Sequence, residues 1–220
     1  MTLFRLDSSI RGAESVSRAV ADAVERSWSD HHPEPRVVRR DLAVTPVPAD
    51  TWALAVHAGF VDEAERSPQQ RAAVTLASSL ADELLDADAA VIAAPLYNFG
   101  ISQHLKAWID LVLTDPRLAP GTAALAGRPV TVVVSRGGGY GAGTPREGWD
   151  HDTPYAVRIF QDVLGADVTV VAAELTLADV NPAMAHLRDL AAASRAEAME
   201  HATATGRALA ERVATNGALV

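Results

Sequence analysis

AAVIAAPLYNFGISQHLKAWIDLVL, residues 89–113, is the stretch from which the rest of the chain can be ordered. Residues 89–94 are apolar without alternation. A strand with one solvated face alternates apolar and polar side chains, so this one is buried on both faces, as in a parallel sheet. Beyond it, Ile101, Leu105, Trp108, Ile109 and Val112 fall on one stripe of a helix. Between the two stand Tyr97, Asn98 and Phe99, where a connecting loop is ordinarily small and polar.

The same alternation runs through the chain. Residues 3–6 read as a first strand. After a polar loop, Ser15 reads as a helix N-cap, with Val16, Val20, Val24 and Trp28 along one face. Residues 36–42 form a second, weaker strand whose charged pairs fit an edge. Residues 43–66, with prolines at 46 and 48 and little periodicity, read as a long irregular excursion. Ser67-Pro68-Gln69-Gln70 is a capping box with proline at N1, and it opens a helix bearing Leu76, Leu80 and Leu84. Strands follow at 130–134 and 168–173. A helix starts at Thr153-Pro154 and closes at Gly165. Asn181-Pro182 caps a last, alanine-rich helix reaching about residue 213. Five strands alternating with five helices make an α/β fold: a doubly wound five-stranded parallel sheet with helices on both faces, flavodoxin-like. No repeat, heptad register or break in composition marks a second unit, so residues 1–220 read as one domain.

The chain has 28 acidic against 19 basic residues and a net charge of −9, which is against nucleic-acid binding and docking on an anionic membrane. It has no cysteine, which removes disulfides, thiolate catalysis and cysteine-held metal. No apolar run approaches the ~18 residues of a membrane span, and the N-terminus does not read as a signal peptide. The expectation is a cytoplasmic protein. The seven histidines show no metal-ligand spacing, and Asp22, Glu25, Arg26, Asp82 and Glu83 read as solvated helix faces.

In doubly wound sheets ligands bind beyond the carboxyl ends of the strands, where the strand order reverses. Three loops are therefore informative. The first, DSSIRGAESVSR, gathers Ser8, Ser9, Ser15 and Ser17 around a helix N-terminus, which suits an anion. It has neither the lysine nor the glycine pattern of a P-loop. The second is the Tyr97–Asn98–Phe99 loop, able to wall in a planar ligand, with an amide that both donates and accepts. The third, SRGGGYGAG from Ser135, offers three successive glycines for close backbone approach. Together they describe a planar ligand with an anionic tail, the shape of FMN.

These residues carry a resemblance. SSI...SVS at 8–17, APLYNF at 94–99 with ISQHLKAWID after it, and SRGG at 135–138 resemble the FMN-dependent NAD(P)H azoreductases, also described as quinone reductases, of the flavodoxin-like superfamily, over about the first 175 residues. The resemblance implies a homodimer with non-covalent FMN. Ser9, Ser15, Val16 and Ser17 would hold its phosphate. Leu96, Tyr97, Asn98 and Phe99 would lie along the isoalloxazine. Ser135, Arg136, Gly137 and Gly138 would reach its pyrimidine edge. It also implies a ping-pong hydride transfer of two electrons from NADH or NADPH to quinones or aromatic azo compounds, with the flavin rather than a side chain carrying the chemistry. Leu96 stands where methionine is common, and residues 114–127 lack a Thr-Phe pair that shapes the substrate pocket in the family. His151 and Tyr140 are candidate pocket residues. Two other readings are open on the same fold: an electron carrier without its own NAD(P)H turnover, and a flavin-free protein.

Overall fold

The computed structural model describes residues 1–32 and 34–217. Its sheet has five parallel strands in the order β2-β1-β3-β4-β5, formed by Thr2–Asp7 (β1), Arg36–Asp41 (β2), Ala89–Pro95 (β3), Pro129–Ser135 (β4) and Asp167–Ala173 (β5). The register runs unbroken, with Leu6 beside Ile92 and Ile92 beside Val132. β2 lies on an edge, as its charged pairs required.

The helices divide between the two faces. Val16–Asp30 (α1) and Arg188–Gly217 (α6) cover one, over Leu3, Val91, Val133 and Val171. On the other lie Thr51–Ala58 (α2), Pro68–Leu85 (α3), Gln103–Val112 (α4) and Thr153–Val157 (α5), over Phe4, Leu6, Ile92 and Val132. Every residue of β3 and β4 is buried, which is why those strands are apolar throughout. α5 runs into a wider π-turn over Arg158–Val163 before Gly165 ends it at φ +80°.

The capping box is formed: Ser67 Oγ accepts from Gln70 N at 3.1 Å and Ser67 N donates to Gln70 Oε1 at 2.8 Å. Ser102, unnoticed in the sequence, caps α4 by accepting from Leu105 N at 3.2 Å. Trp108 is core, stacked on Phe4 with centroids 6.1 Å apart. Ile109 and Val112 are buried beside it, so the α4 stripe is spent within the chain.

Four expectations are corrected. The excursion at 43–66 contains a helix, α2, so the described residues form six α-helices. Its sequence, TWALAVHA, is nearly all apolar and therefore shows no 3.6-residue stripe. Asn181 caps a 3-10 stretch, Pro182–Leu187, and the last helix begins only at Arg188. Glu25 is not solvated. It is buried with Arg5, whose Nη1 donates to Glu25 Oε2 at 3.0 Å and whose Nε lies 3.1 Å from Asp7 Oδ2; Asp22 and Arg39 complete the cluster. Burial opposes the Arg5 charge, but Asp7 and Asp22 hold its pKa above the ordinary arginine value. Glu83 is half-buried against Arg40, while Asp82 keeps the exposed position expected of it and pairs with Arg117 at the surface.

α1 and α6 cross at Gly206. A Cβ there would stand 2.3 Å from the Val24 carbonyl oxygen and 2.8 Å from Ser27 Cβ. Gly→Ala in a helix ordinarily gains ~1 kcal/mol. Here the clash is with backbone, which cannot rotate away, and overpacking costs roughly 1–3 kcal/mol. Gly206→Ala should therefore lower stability in urea unfolding despite its better helix propensity.

Candidate functional site

The switch in strand order falls between β1 and β3: α1 leaves β1 toward one face and α4 leaves β3 toward the other. The carboxyl ends of these two strands therefore open into a crevice. Loop 8–15 is tied down across it. Ser8 Oγ donates to the Ala93 carbonyl at 2.8 Å, Ser9 Oγ lies 3.0 Å from the Tyr97 hydroxyl, and Ile10 N donates to that hydroxyl at 3.3 Å. Ser15 Oγ caps α1 by accepting from Arg18 N at 3.3 Å and lies 3.1 Å from Ser17 Oγ. The first-turn N–H groups of a helix have no acceptor within it, so those of Val16 and Ser17 head the positive end of α1.

The Tyr97 loop is a two-residue turn. Tyr97 and Gly100 exchange both backbone hydrogen bonds, at 2.9 and 3.0 Å. Asn98 and Phe99 between them take φ of +49° and +69°. Two left-handed residues in succession make a type I′ turn. Asn accepts this readily, but phenylalanine is a rare occupant, at a cost of order 1 kcal/mol. The turn aims the Phe99 ring outward, edge-on to Trp149 with centroids 5.4 Å apart, and the Phe99 carbonyl accepts from His151 N at 2.9 Å.

The glycine loop is held by β5's extension. Thr176 N donates to the Arg136 carbonyl at 3.0 Å, Leu177 N to that of Gly137 at 3.3 Å, and Leu175 N to that of Gly138 at 3.2 Å. The Leu177 side chain sits so close that a Cβ on Gly137 would lie 2.7 Å from its Cδ1. The Arg136 guanidinium is a clamp, 2.8 Å from both Asp150 and Glu174.

These loops enclose a cleft of about 310 Å³ lined by Ser9, Ile10, Arg11, Ser15, Val16, Pro95, Leu96, Tyr97, Ser135, Gly137, Thr176 and Leu177. Seven sequence candidates thus meet in one wall: Ser9, Ser15, Val16, Leu96, Tyr97, Ser135 and Gly137. Five border it. Ser17 is buried behind Ser15, Asn98 and Phe99 form the turn, and Arg136 and Gly138 stand behind Gly137. Sequence reasoning missed Ile10, Arg11, Pro95, Thr176 and Leu177. The last two belong to the loop after β5, which carries no glycine run or aromatic to mark it. None of residues 114–127 lines the cleft. Among the described residues no cluster of His, Cys, Asp or Glu could hold a metal ion.

The donor set fits a phosphate monoester joined to a flat ring. Hydroxyls, helix N–H groups and Arg11 gather at one end, and Pro95, Leu96, Tyr97 and Leu177 supply apolar walls at the other. Such a donor set would suit FMN.

Next to this cleft, behind Arg136 and at the start of α5, Asp152 is fully buried, and neither carboxyl oxygen has a hydrogen-bond partner. Burial, with Asp150 alongside, pushes its pKa up to about 8, against the pull of Arg136. The folded state therefore keeps a proton that the unfolded chain, titrating near the ordinary 3.8, gives up. Its contribution to stability is fully present below pH ~4 and is lost as pH rises toward ~8. Asp152→Asn removes that titration. The variant should match the wild type near pH 4 and exceed it at pH 8, by up to roughly 5 kcal/mol for a shift of that size, read from chemical unfolding at both pH values.

The comparisons agree with this geometry. The family model for the flavodoxin-like fold matches residues 1–198. A protein of Streptomyces avermitilis described as an FMN-dependent NADH:quinone oxidoreductase is 45% identical over 215 residues, covering 97% of this chain and 99% of the relative. One of Streptomyces coelicolor with the same description is 42% identical, covering 98% and 99%. Among solved structures, an azoreductase from Bacillus anthracis superposes with a TM-score of 0.74 over 94% of this chain and 99% of its own; at 22% identity the likeness is one of fold. This chain belongs to the flavodoxin-like fold family.

Proposed function

We propose that this protein is an FMN-dependent NADH:quinone oxidoreductase, the description its Streptomyces relatives carry. The carrying observation is the cleft at the strand switch, where the serine-lined start of α1 faces the apolar wall of Leu96 and Tyr97. Ser9, Ser15 and the N–H groups of Val16 and Ser17, with Arg11, hold the phosphate; Ser17 also fixes the Ser15 hydroxyl. Leu96, Tyr97, Asn98 and Phe99 border the ring. Ser135, Gly137 and Gly138 meet its polar edge, and Arg136 keeps that loop in place. The bound FMN would relay two electrons, as hydride, from NADH to the acceptor. No side chain has to act as nucleophile. The chain's work is to bind, orient and shield the ring, and to present backbone N–H groups where negative charge develops.

Quinones are the proposed acceptors, and planar aromatic azo compounds belong to the same reading on their shape. The exposed Trp52 and Phe60 side chains support a homodimer that covers part of this surface. Among the described residues no helix is long and apolar enough to cross a membrane; a single domain working in the cytoplasm belongs to the same reading.

The test is an absorption spectrum of purified protein with FMN, followed anaerobically. It should show bound oxidised flavin, bleaching on NADH and recovery on adding a quinone. Protein that binds no flavin after reconstitution overturns the reading, and protein that binds flavin but is not bleached by NADH is a carrier instead. Two capping variants locate the phosphate. Ser15→Ala and Ser67→Ala should each cost about 1 kcal/mol of stability. Only Ser15→Ala should also weaken FMN binding, about tenfold, read by flavin fluorescence titration.

A further inference from the structure

We propose that Arg146 forms an anion subsite on the rim of the cleft, so that the preferred acceptor is an aromatic ring bearing a sulfonate or carboxylate. The proposal rests on the quinone reductase reading and narrows its substrate class.

Arg146 is exposed on the loop between β4 and α5. Its guanidinium carbon lies 5.8 Å from the ring centroid of Phe99 and 5.8 Å from that of Tyr140, so two aromatic rings hold the cation in place. Nη1 is 3.4 Å from the Tyr140 hydroxyl. A Cβ on Gly138 would stand 2.9 Å from the same nitrogen. The glycine thus leaves room for the guanidinium beside Gly138, one residue from Gly137, which lines the cleft.

The charge is available. In a chain with 28 acidic residues an arginine finds a carboxylate easily, yet among the described residues none lies within ion-pair distance of Arg146. The acidic groups around it have other partners. Glu147 accepts from Gly143 N at 2.8 Å. Asp150 is bound by Arg136 and by the Thr153 hydroxyl, at 2.8 and 2.7 Å. Glu174 is bound by Arg136 at 2.8 Å and accepts from Tyr140 N at 3.2 Å. The guanidinium fork is therefore open to an incoming anion. Beside it, Phe99 and Trp149, 39% and 52% exposed, present aromatic surface. An aromatic shelf with an unpaired cation recognises an aromatic anion, while the net charge of −9 makes the remaining surface unattractive to one. Arg11 does not fill this role, because it lies across the cleft with Ser9 and Ser15.

The experiment compares 1,4-naphthoquinone with its 2-sulfonate, using FMN-loaded wild type, Arg146→Met and Arg146→Lys. The ratio of the sulfonate's KM to the neutral quinone's should rise about three- to tenfold in Arg146→Met and less in Arg146→Lys. Added KCl should raise the wild-type ratio toward that of Arg146→Met. Quenching of tryptophan fluorescence by the sulfonate, without NADH, should weaken in the same order. An unchanged ratio with unchanged quenching overturns the proposal. So does an effect confined to the KM for NADH, which would assign Arg146 to the donor's phosphates. A wild type inactive on both quinones defeats the oxidoreductase reading instead, and the quenching titration still judges Arg146.

Discussion

The strand order β2-β1-β3-β4-β5 is the constraint on which the rest depends. Every connection between parallel strands must cross a face of the sheet, and right-handed crossovers fix which face. Chain that leaves β1 for β2 and chain that leaves β3 for β4 travel outward in opposite directions, so α1 and α4 cannot cover the ground between them. The crevice over the ends of β1 and β3 follows from topology. The sequence then furnishes it: a capped helix start on one side, an aromatic turn on the other, with a hydrogen bond between Ser9 and Tyr97 across the gap.

The charge distribution is layered around that crevice. Arg5 points from β1 into the α1 face, where an apolar side chain would be the ordinary occupant, and Asp7, Asp22, Glu25 and Arg18's carbonyl surround it. Removing one member of such a cluster costs far more than the cluster itself contributes, because a buried charge is left unpaired. The cluster thus fixes how α1 sits on β1, and with it where the positive end of α1 points. Arg136 does the same for the glycine loop through Asp150 and Glu174. Two arginines, Arg5 buried and Arg136 half-buried, neither lining the cleft, set the positions of two loops that do.

What the sequence made legible was whatever physics writes locally. Continuous apolar runs announced β3 and β4 because both their faces are covered. The capping box at Ser67 announced α3 because its partners are three residues apart. Other features are non-local. α2 is apolar almost all round, so periodicity is silent, and only its packing beside α3 and α4 makes it a helix. Glu25 looked solvated because its partners, Arg5 and Arg39, lie on two different strands. Leu177 enters the cleft wall through backbone pairing with the glycine loop, a contact 40 residues away in sequence for which no motif exists. The Tyr97–Phe99 turn was placed correctly on β3's end, but its left-handed backbone at Phe99 could not be read from residue type, since phenylalanine does not favour it.

That last feature shows how the labour is divided. A bulky side chain held at positive φ persists only when its surroundings over-determine it. Here they do: Gly100 closes the turn, His151 N binds the Phe99 carbonyl, and Trp149 and Arg146 pack on the ring. Three of those four come from the β4–α5 region or its loop, so the β3 turn and the long glycine-rich loop are folded against one another. The sheet and its helix ends decide that a flat anionic ligand can bind. The rim, made by two loops that order each other, decides what else can approach it. Loops tolerate change at little cost to the core, so within this fold the rim can vary its chemistry while the serine-capped helix start stays in place.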